Sequence, residues 1–184
     1  MSAGFRKVEE ETVFEGHLIS VATGTFEDPS GGRFQRDVVH HPGAVSVVPV
    51  FEDKRTVLLV RQYRAAVDRV LLEIPAGKRD VDGEDPEVTA ARELEEEVGV
   101  RAGRLEKLGE FFNSPGFCDE HSFVYLATGL EDAEISAQGV EEEHMTIEEV
   151  PLDEVASLVA SGELVDAKSI IGLALAREAL ARSG

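Results

Sequence analysis

The chain has 184 residues, enough for one domain with a substantial core. It carries 37 acidic and 18 basic residues, which give a formal net charge of −19. This charge disfavours DNA, RNA and anionic membranes as main partners, because each would be repelled. If the substrate is itself an anion, a divalent cation or nearby arginines must offset the negative field.

Cysteine content and apolar runs narrow the class of protein further. Cys118 is the one cysteine, so an internal disulfide and a cysteine-based zinc site are both excluded. No stretch reaches the roughly 20 apolar residues that a membrane span requires. The first residues contain no apolar run resembling a signal peptide. We therefore expect a cytoplasmic protein that does not act at a membrane.

Strand-forming segments dominate the first half of the chain. Partly alternating apolar and polar residues predict antiparallel strands at 12–21 and 34–40, joined by a turn at 28–32. Further strands are predicted, on β-branched and apolar content, at 44–51, 56–63, 70–77, 104–112, 121–128 and around 144–150.

Helices are predicted at three places. One should start near Asp85, since aspartate is a preferred N-cap and Pro86 suits the first helical position, and it should stop at Gly99. Two more are predicted at 152–161 and from about Asp166 to the end of the chain. The result is a mixed α/β protein in which one helix is unusually acidic.

The acidic helix carries three carboxylates on one side. At about 100° per residue, Glu93, Glu96 and Glu97 project within about a 100° arc, while Glu95 falls toward solvent. Such like charges destabilise a helix unless a cation lies among them. Hard divalent cations such as Mg²⁺ bind carboxylate oxygens, so the pattern indicates a metal site. A solvated acidic face is the alternative.

The residues around this helix resemble the signature of the Nudix hydrolases. That signature is a glycine, a glutamate and then REUxEExGU, where U is a bulky aliphatic residue; here it reads GKRDVDGEDPEVTAARELEEEVGV, from Gly77 to Val100. Six residues separate Gly77 from Glu84, one more than in the usual pattern. The extra residue lies before the helix, so the spacing of the helical carboxylates is unchanged.

The resemblance implies a fold, a reaction and a metal site. The fold is an α/β/α sandwich with a mixed sheet at 41–184, preceded by an antiparallel β extension at 1–40. The reaction is hydrolysis of a nucleoside diphosphate linked to another moiety. The implied cofactor is Mg²⁺, with Mn²⁺ as a possible substitute, bound by Glu93, Glu96, Glu97 and the carbonyl of Ala76.

Segments outside the signature resemble the ADP-ribose pyrophosphatase branch of that family. They are the segments 36–50, 60–64, 72–78 and 112–120, with Pro115 fifteen residues beyond the last signature position. The implied reaction is cleavage of ADP-ribose into AMP and ribose 5-phosphate. Another sugar nucleotide or dinucleotide, such as GDP-mannose or NADH, remains an alternative substrate. A noncatalytic module that senses a nucleotide remains a third hypothesis.

Candidate substrate contacts follow from these segments. Guanidinium and ammonium groups suit phosphate oxygens, and the candidates are Arg36, Arg61, Arg64, Lys78 and Arg79. Phe34 is a candidate for stacking on a base, although a strand anchor is equally consistent. By resemblance, Ser114, Gly116 and Glu120 lie near the terminal ribose. The branch commonly exchanges its N-terminal strands across a homodimer, which predicts a homodimer here.

The general base is expected outside the acidic helix. Metal ions would neutralise the diphosphate and activate a water, and a base would take the proton of that water. In resembling enzymes the base often comes from a loop after the signature, which corresponds to 136–147. Glu142 is the first candidate, and also a candidate metal ligand, with Glu141 and Glu143 as alternatives. Glu97 is expected to be essential for catalysis as a metal ligand.

Overall fold

The structure, a computed structural model, describes residues 4–53, 55–134 and 144–183. These residues form ten β-strands and three α-helices. Two compact units are present. One comprises Met1–Gly43 and Phe112–His121, and the other comprises Ala44–Phe111 and Ser122–Gly184.

The first unit is built on a three-stranded antiparallel sheet in the order β1-β2-β3. Its strands are β1 (Arg6–Glu15), β2 (Ser20–Glu27) and β3 (Arg33–His40). The segment that follows Phe112 joins this sheet through the backbone of Val39, which donates to Phe117 O at 2.7 Å and accepts from Asp119 N at 3.1 Å. This bridge fixes the loop of the first unit that contains the predicted ribose-binding residues.

The prediction of a single strand at 12–21 is wrong. The backbone turns sharply after β1, where Gly16 N donates to Ile19 O at 2.9 Å, and β2 then runs back along β1. The alternation of apolar residues continues on both sides of the turn, so periodicity alone conceals it. The predicted turn at 28–32 is confirmed, with Asp28 Oδ1 accepting from the backbone nitrogens of Ser30 and Gly32.

The second unit contains a mixed seven-stranded sheet. Its main path runs β10-β5-β4-β9-β8, with β6 paired to β5 and β7 paired to β4. Strands β4 and β9 are parallel, whereas β4 and β5 are antiparallel. The strands are β4 (Ala44–Phe51), β5 (Thr56–Arg64), β6 (Arg69–Glu73), β7 (Ala76–Lys78), β8 (Val100–Phe112), β9 (His121–Asp132) and β10 (Thr146–Pro151).

Helices cover both faces of this sheet. Along β4, Val45 and Val47 pack with helix α1 (Pro86–Val98), while Val48 and Val50 pack with the last helix. Side chains alternate between the faces of a strand, so a strand buried on both faces is apolar throughout. The other helices are α2 (Val155–Ser161) and α3 (Ala167–Ser183). The expected α/β/α arrangement is confirmed.

The acidic helix has the predicted ends. Asp85 accepts a hydrogen bond from Glu87 N at 2.9 Å, Pro86 is the first helical residue, and Gly99 adopts a left-handed conformation with φ of 64°. Both ends therefore follow local capping rules. Ala90 and Leu94 are fully buried and hold the helix on the sheet. None of the helices that the structure describes is long and apolar enough to cross a bilayer.

The predicted strand at 70–77 is divided in two. Strand β6 ends at Glu73 and β7 begins at Ala76, and Pro75 between them has no backbone N–H to donate. The chain also changes partner here, from β5 before Pro75 to β4 after it. Val47 N donates to Pro75 O at 2.9 Å and fixes the segment in which the chain crosses from β5 to β4. The change of partner brings Ala76 and Gly77 against the acidic helix.

Candidate metal centre

Strand β7 and helix α1 approach each other at Gly77. A Cβ atom built on Gly77 would lie 1.8 Å from Glu93 Cδ and 2.2 Å from Glu93 Oε1. Real Cβ atoms do not approach other atoms so closely, so any side chain here would displace Glu93. Gly77 therefore leaves the space in which the Glu93 carboxylate lies, and we call this space the cradle.

Arg92 links the carboxylates of the helix. Its Nη1 lies 2.9 Å from both Glu93 Oε1 and Glu96 Oε2, and its Nη2 lies 3.6 Å from Glu84 Oε2. Burial opposes the charge on Arg92, but Glu93, Glu96 and Glu84 outweigh it and raise the pKa of the guanidinium. Arg92 thus offsets part of the repulsion that the sequence placed on this helix.

Glu97 connects the helix to the strand. It is 3% exposed, and its Oε2 accepts a hydrogen bond from Ala76 N at 2.9 Å. A peptide N–H held in this way also fixes the adjoining backbone, which carries the Ala76 carbonyl. The structure thus places Ala76 on β7 beside Glu97, while Glu93, Glu96 and Glu97 share helix α1; their binding of a metal ion stays a prediction.

Glu84 joins this cluster despite the extra residue before it. Gly83, with φ of 76°, completes a turn in which Glu84 N donates to Val81 O at 3.2 Å. Thr89 Oγ1 then donates to Glu84 Oε2 at 2.7 Å and holds the carboxylate at the first turn of α1. The insertion is absorbed by the turn, and Glu84 still lies beside Arg92.

The donor set fits a hard divalent cation. Carboxylate and carbonyl oxygens are the ligands that Mg²⁺ and Mn²⁺ prefer. Within the described residues, no three His, Cys, Asp or Glu side chains already converge in metal-binding geometry. Instead, Arg92 lies between Glu93 and Glu96, and its buried Nη2 has no hydrogen-bond partner. The Arg92 guanidinium thus supplies the positive charge among these carboxylates in this structure.

Two of the predicted phosphate-binding residues lie next to this cluster. Lys78 is exposed at the end of β7. Arg79 donates from Nη2 to Glu84 O at 3.2 Å, and its guanidinium lies 5.2 Å from the ring centre of Phe123. The buried Nε of Arg79 has no hydrogen-bond partner.

The other two arginines of the second unit that were predicted to bind phosphate already bind carboxylates. Arg61 donates to Glu148 and, at 2.6 Å, to Glu163, and these bonds raise its pKa. Arg64 donates from Nε and Nη2 to Glu73 at 2.8 and 2.6 Å. Burial opposes the charge of Arg64, but its bonds to Glu73 prevail and raise its pKa. Sequence reasoning named both arginines but could not foresee either partner.

The remaining predicted substrate contacts lie in the first unit. Phe34 stacks on Phe26 with ring centres 5.6 Å apart, and Arg36 lies 4.9 Å from the Phe34 ring centre. Ser114, Gly116 and Glu120 belong to the segment bridged to Val39, in which Phe117 N donates to Ser114 O at 3.1 Å. These residues therefore belong to a different compact unit from the carboxylates of α1.

Comparison with known proteins identifies the family. The profile described as the NUDIX domain matches residues 39–171 of the chain. The chain belongs to the Nudix family.

Curated relatives of this Nudix protein carry several names. An ADP-ribose pyrophosphatase of Bacillus subtilis is 41% identical, with coverage of 89% of this chain and 88% of the relative. A methanol dehydrogenase activator of Bacillus methanolicus is 37% identical, covering 91% and 90%. A GDP-mannose pyrophosphatase of Klebsiella pneumoniae is 33% identical, covering 93% and 90%.

A solved structure supports the fold alone. It is described as an ADP compounds hydrolase, is 24% identical, and superposes with a TM-score of 0.85 over 98% of this chain and 96% of its own. Members of the Nudix family generally use divalent metal ions, in agreement with the donor set described above.

The candidate general bases of this Nudix protein, Glu141, Glu142 and Glu143, lie outside the described residues.

Sequence reasoning also missed a buried polar cluster beside the signature, formed by Glu73, Lys168 and Ser169. One signal was present. Glu73 interrupts an apolar run from Val70 to Ile74, and a lone carboxylate in such a run needs a buried partner.

Proposed function

We propose that this Nudix protein hydrolyses ADP-ribose to AMP and ribose 5-phosphate with Mg²⁺, for which Mn²⁺ can substitute. The observation that carries the proposal is the cluster of Glu93, Glu96 and Glu97 packed against Ala76 and Gly77. Similarity to an ADP-ribose pyrophosphatase over nearly nine-tenths of both chains supports this choice of substrate.

The roles proposed for the cluster follow from its contacts. Glu93, Glu96, Glu97 and the Ala76 carbonyl hold the cation, and Gly77 leaves room for Glu93. The chemistry that a divalent cation supplies at such a site is neutralisation of the diphosphate charge and activation of a water. Arg92 keeps the carboxylates close together by offsetting their repulsion. Glu142, or Glu141 beside it, accepts the proton of the attacking water and also remains a candidate metal ligand.

Substrate contacts are proposed for three groups of residues. Loop residues Ser114, Gly116 and Glu120 are proposed to contact the terminal ribose, and Phe34 is proposed to stack on the base. The phosphates are proposed to be bound by the cationic side chains of Arg36, Arg61, Arg64, Lys78 and Arg79. Support for Arg36 and Phe34 as one surface comes from the packing of the guanidinium over the ring.

GDP-mannose is the second candidate substrate, because a GDP-mannose pyrophosphatase matches almost the whole chain. The test is a panel of ADP-ribose, GDP-mannose and NADH, with products identified by mass spectrometry. We expect kcat/KM for ADP-ribose to exceed the others by at least about tenfold. Equal turnover of GDP-mannose would contradict the substrate. Tight binding of ADP-ribose without turnover would favour a sensing module instead.

The N-terminal extension at 1–40 is proposed to form a homodimer in the cytoplasm. Strand β1 lies at the edge of its sheet, and Val13 and Phe14 on it are 61% and 55% exposed. An edge strand with exposed apolar residues is a natural surface for pairing with another chain. A second copy of this chain is the partner that the Nudix resemblance implies.

A further inference from the structure

A fully buried carboxylate, Glu73, lies three residues before Ala76, whose carbonyl is a candidate metal ligand. Glu73 is 1% exposed and accepts hydrogen bonds from Nε and Nη2 of Arg64. Lys168 Nζ, at the start of α3, also donates to Glu73. A buried ion pair is weak evidence for stability, since its desolvation costs about as much as its attraction returns. A positional role is therefore worth testing.

The contacts of Glu73 continue into a closed ring. Lys168 also pairs with Asp166 at 3.0 Å, and Asp166 Oδ2 accepts from Ser169 Oγ at 2.6 Å. Ser169 Oγ in turn accepts from Ile74 N at 2.8 Å, which returns to the residue after Glu73. Ser169 is fully buried. We call Glu73, Lys168, Asp166 and Ser169 the polar ring.

The ring holds the backbone that leads into the metal centre. Ile74 N is bound by Ser169, Pro75 O by Val47 N, and Ala76 N by Glu97. The polar groups of three consecutive residues are thus fixed from three different elements. Pro75 O and Ala76 N belong to the same peptide, so these bonds fix the orientation of the Pro75–Ala76 peptide, which directly precedes the Ala76 carbonyl.

Helix α3 is also packed closely enough to transmit this restraint. A Cβ atom on Gly172 would lie 2.8 Å from Ile74 Cδ1, so the helix has room for no side chain at that point. The first two turns of α3, which carry Ser169 and Gly172, therefore lie against Ile74. Displacement of this part of the helix would move Ser169 and break its bond to Ile74 N.

We propose that the polar ring is a positioning device that holds the Ala76 carbonyl and Glu97 in metal-binding orientation. This inference rests on the metal centre of the proposed function, but not on the identity of the substrate. A merely structural ring would tie α3 to the sheet and leave metal affinity unchanged when weakened. Loss of groups that orient metal ligands typically lowers metal affinity by about 10- to 100-fold.

The test measures Mn²⁺ binding by electron paramagnetic resonance. Only those ions count that the unmodified chain binds and the Glu97→Gln variant does not. Ser169→Ala removes the acceptor of Ile74 N, and we expect the dissociation constant for Mn²⁺ to rise about tenfold. Ser169→Thr retains a hydroxyl and should restore much of the affinity. Ala176→Gly, on the same helix, weakens α3 without touching the ring and should leave the affinity unchanged.

A second variant keeps the inference testable if Ser169→Ala does not fold. Lys168→Met opens the ring at Glu73, and Lys168→Arg retains the charge, so only the first should weaken Mn²⁺ binding. The inference is overturned if the folded variants lose thermal stability as Ala176→Gly does but bind Mn²⁺ like the unmodified chain. It is also overturned if the unmodified chain binds no Mn²⁺ at these carboxylates.

Turnover of ADP-ribose by the unmodified chain, measured separately, distinguishes the two claims. Ring-dependent Mn²⁺ binding without cleavage of ADP-ribose would contradict the proposed function and support the ring.

Discussion

Glu97 has a structural role and a proposed metal-binding role, and a substitution can separate the two. Its carboxylate accepts a hydrogen bond from Ala76 N, and it is proposed to bind the metal ion. A glutamine retains an oxygen acceptor for Ala76 N but loses the negative charge. The fold should therefore tolerate the change better than the metal site does.

We expect Glu97→Gln to lower Mg²⁺-dependent kcat by at least about 100-fold, since a neutral amide is a poor ligand for a hard cation. Steady-state kinetics on ADP-ribose measure the effect, and circular dichroism checks the fold. The matched control is Glu95→Gln, on the same helix, where the carboxylate pairs with Arg101 on the surface. That ion pair is exposed to solvent, so its loss should have little effect on stability. Full activity of Glu97→Gln would remove Glu97 from the metal site.

At the scale of secondary structure, the crossing from β6 to β7 positions the site. Pro75 ends one pairing and Ala76 begins another, so Gly77 comes to lie under α1. The glycine serves the close approach of two elements, because a Cβ atom would overlap Glu93. Gly77 and Glu93, both in the Nudix signature, thus depend on each other, because the glycine leaves the space that the Glu93 side chain occupies.

Gly77→Ala should displace Glu93 and lower kcat by about 100-fold, because a shift of about 1 Å in a catalytic group costs that much. Overpacking should also lower the free energy of unfolding by about 1–3 kcal/mol. Kinetics and urea denaturation measure the two effects. Gly109→Ala is the control, since a Cβ there meets Leu175 at an ordinary 3.5 Å. Unchanged activity of Gly77→Ala would show that Glu93 need not stay in the cradle.

Elements defined by local rules could be predicted from the sequence, and elements defined by distant partners could not. Both ends of α1 follow from Asp85, Pro86 and Gly99, which act within one turn. The reversal at Gly16 was missed because apolar residues alternate on both sides of it. The division at Pro75 depends on a change of partner strand. Glu148 and Glu73, the partners of Arg61 and Arg64, come from other strands, so sequence spacing gives no sign of the Arg61 pairing.

At the scale of the whole molecule, the strongly acidic chain carries basic residues beside its candidate metal centre. The chain carries a net charge of −19, yet Lys78, Arg79 and Arg92 lie at the carboxylate cluster. An anionic substrate approaching such a protein needs positive charge close to where it binds. Divalent cations and these side chains together would supply it.

The proposed homodimer predicts a mass of about 40 kDa by light scattering, twice the 19.9 kDa of one chain. Val13→Lys places a charge on the exposed face of β1 and should shift the protein toward 19.9 kDa at the same concentration. Val67→Lys, at a residue 54% exposed in the other unit, is the control and should leave the mass unchanged. A monomeric unmodified chain would contradict the proposed dimer.

The most direct test of the central claim is product analysis of ADP-ribose incubated with the unmodified protein, first with EDTA and then with excess Mg²⁺. The account predicts no cleavage with EDTA, and AMP and ribose 5-phosphate in equal amounts once Mg²⁺ is restored. Equal cleavage in both conditions, or none in either, would contradict it.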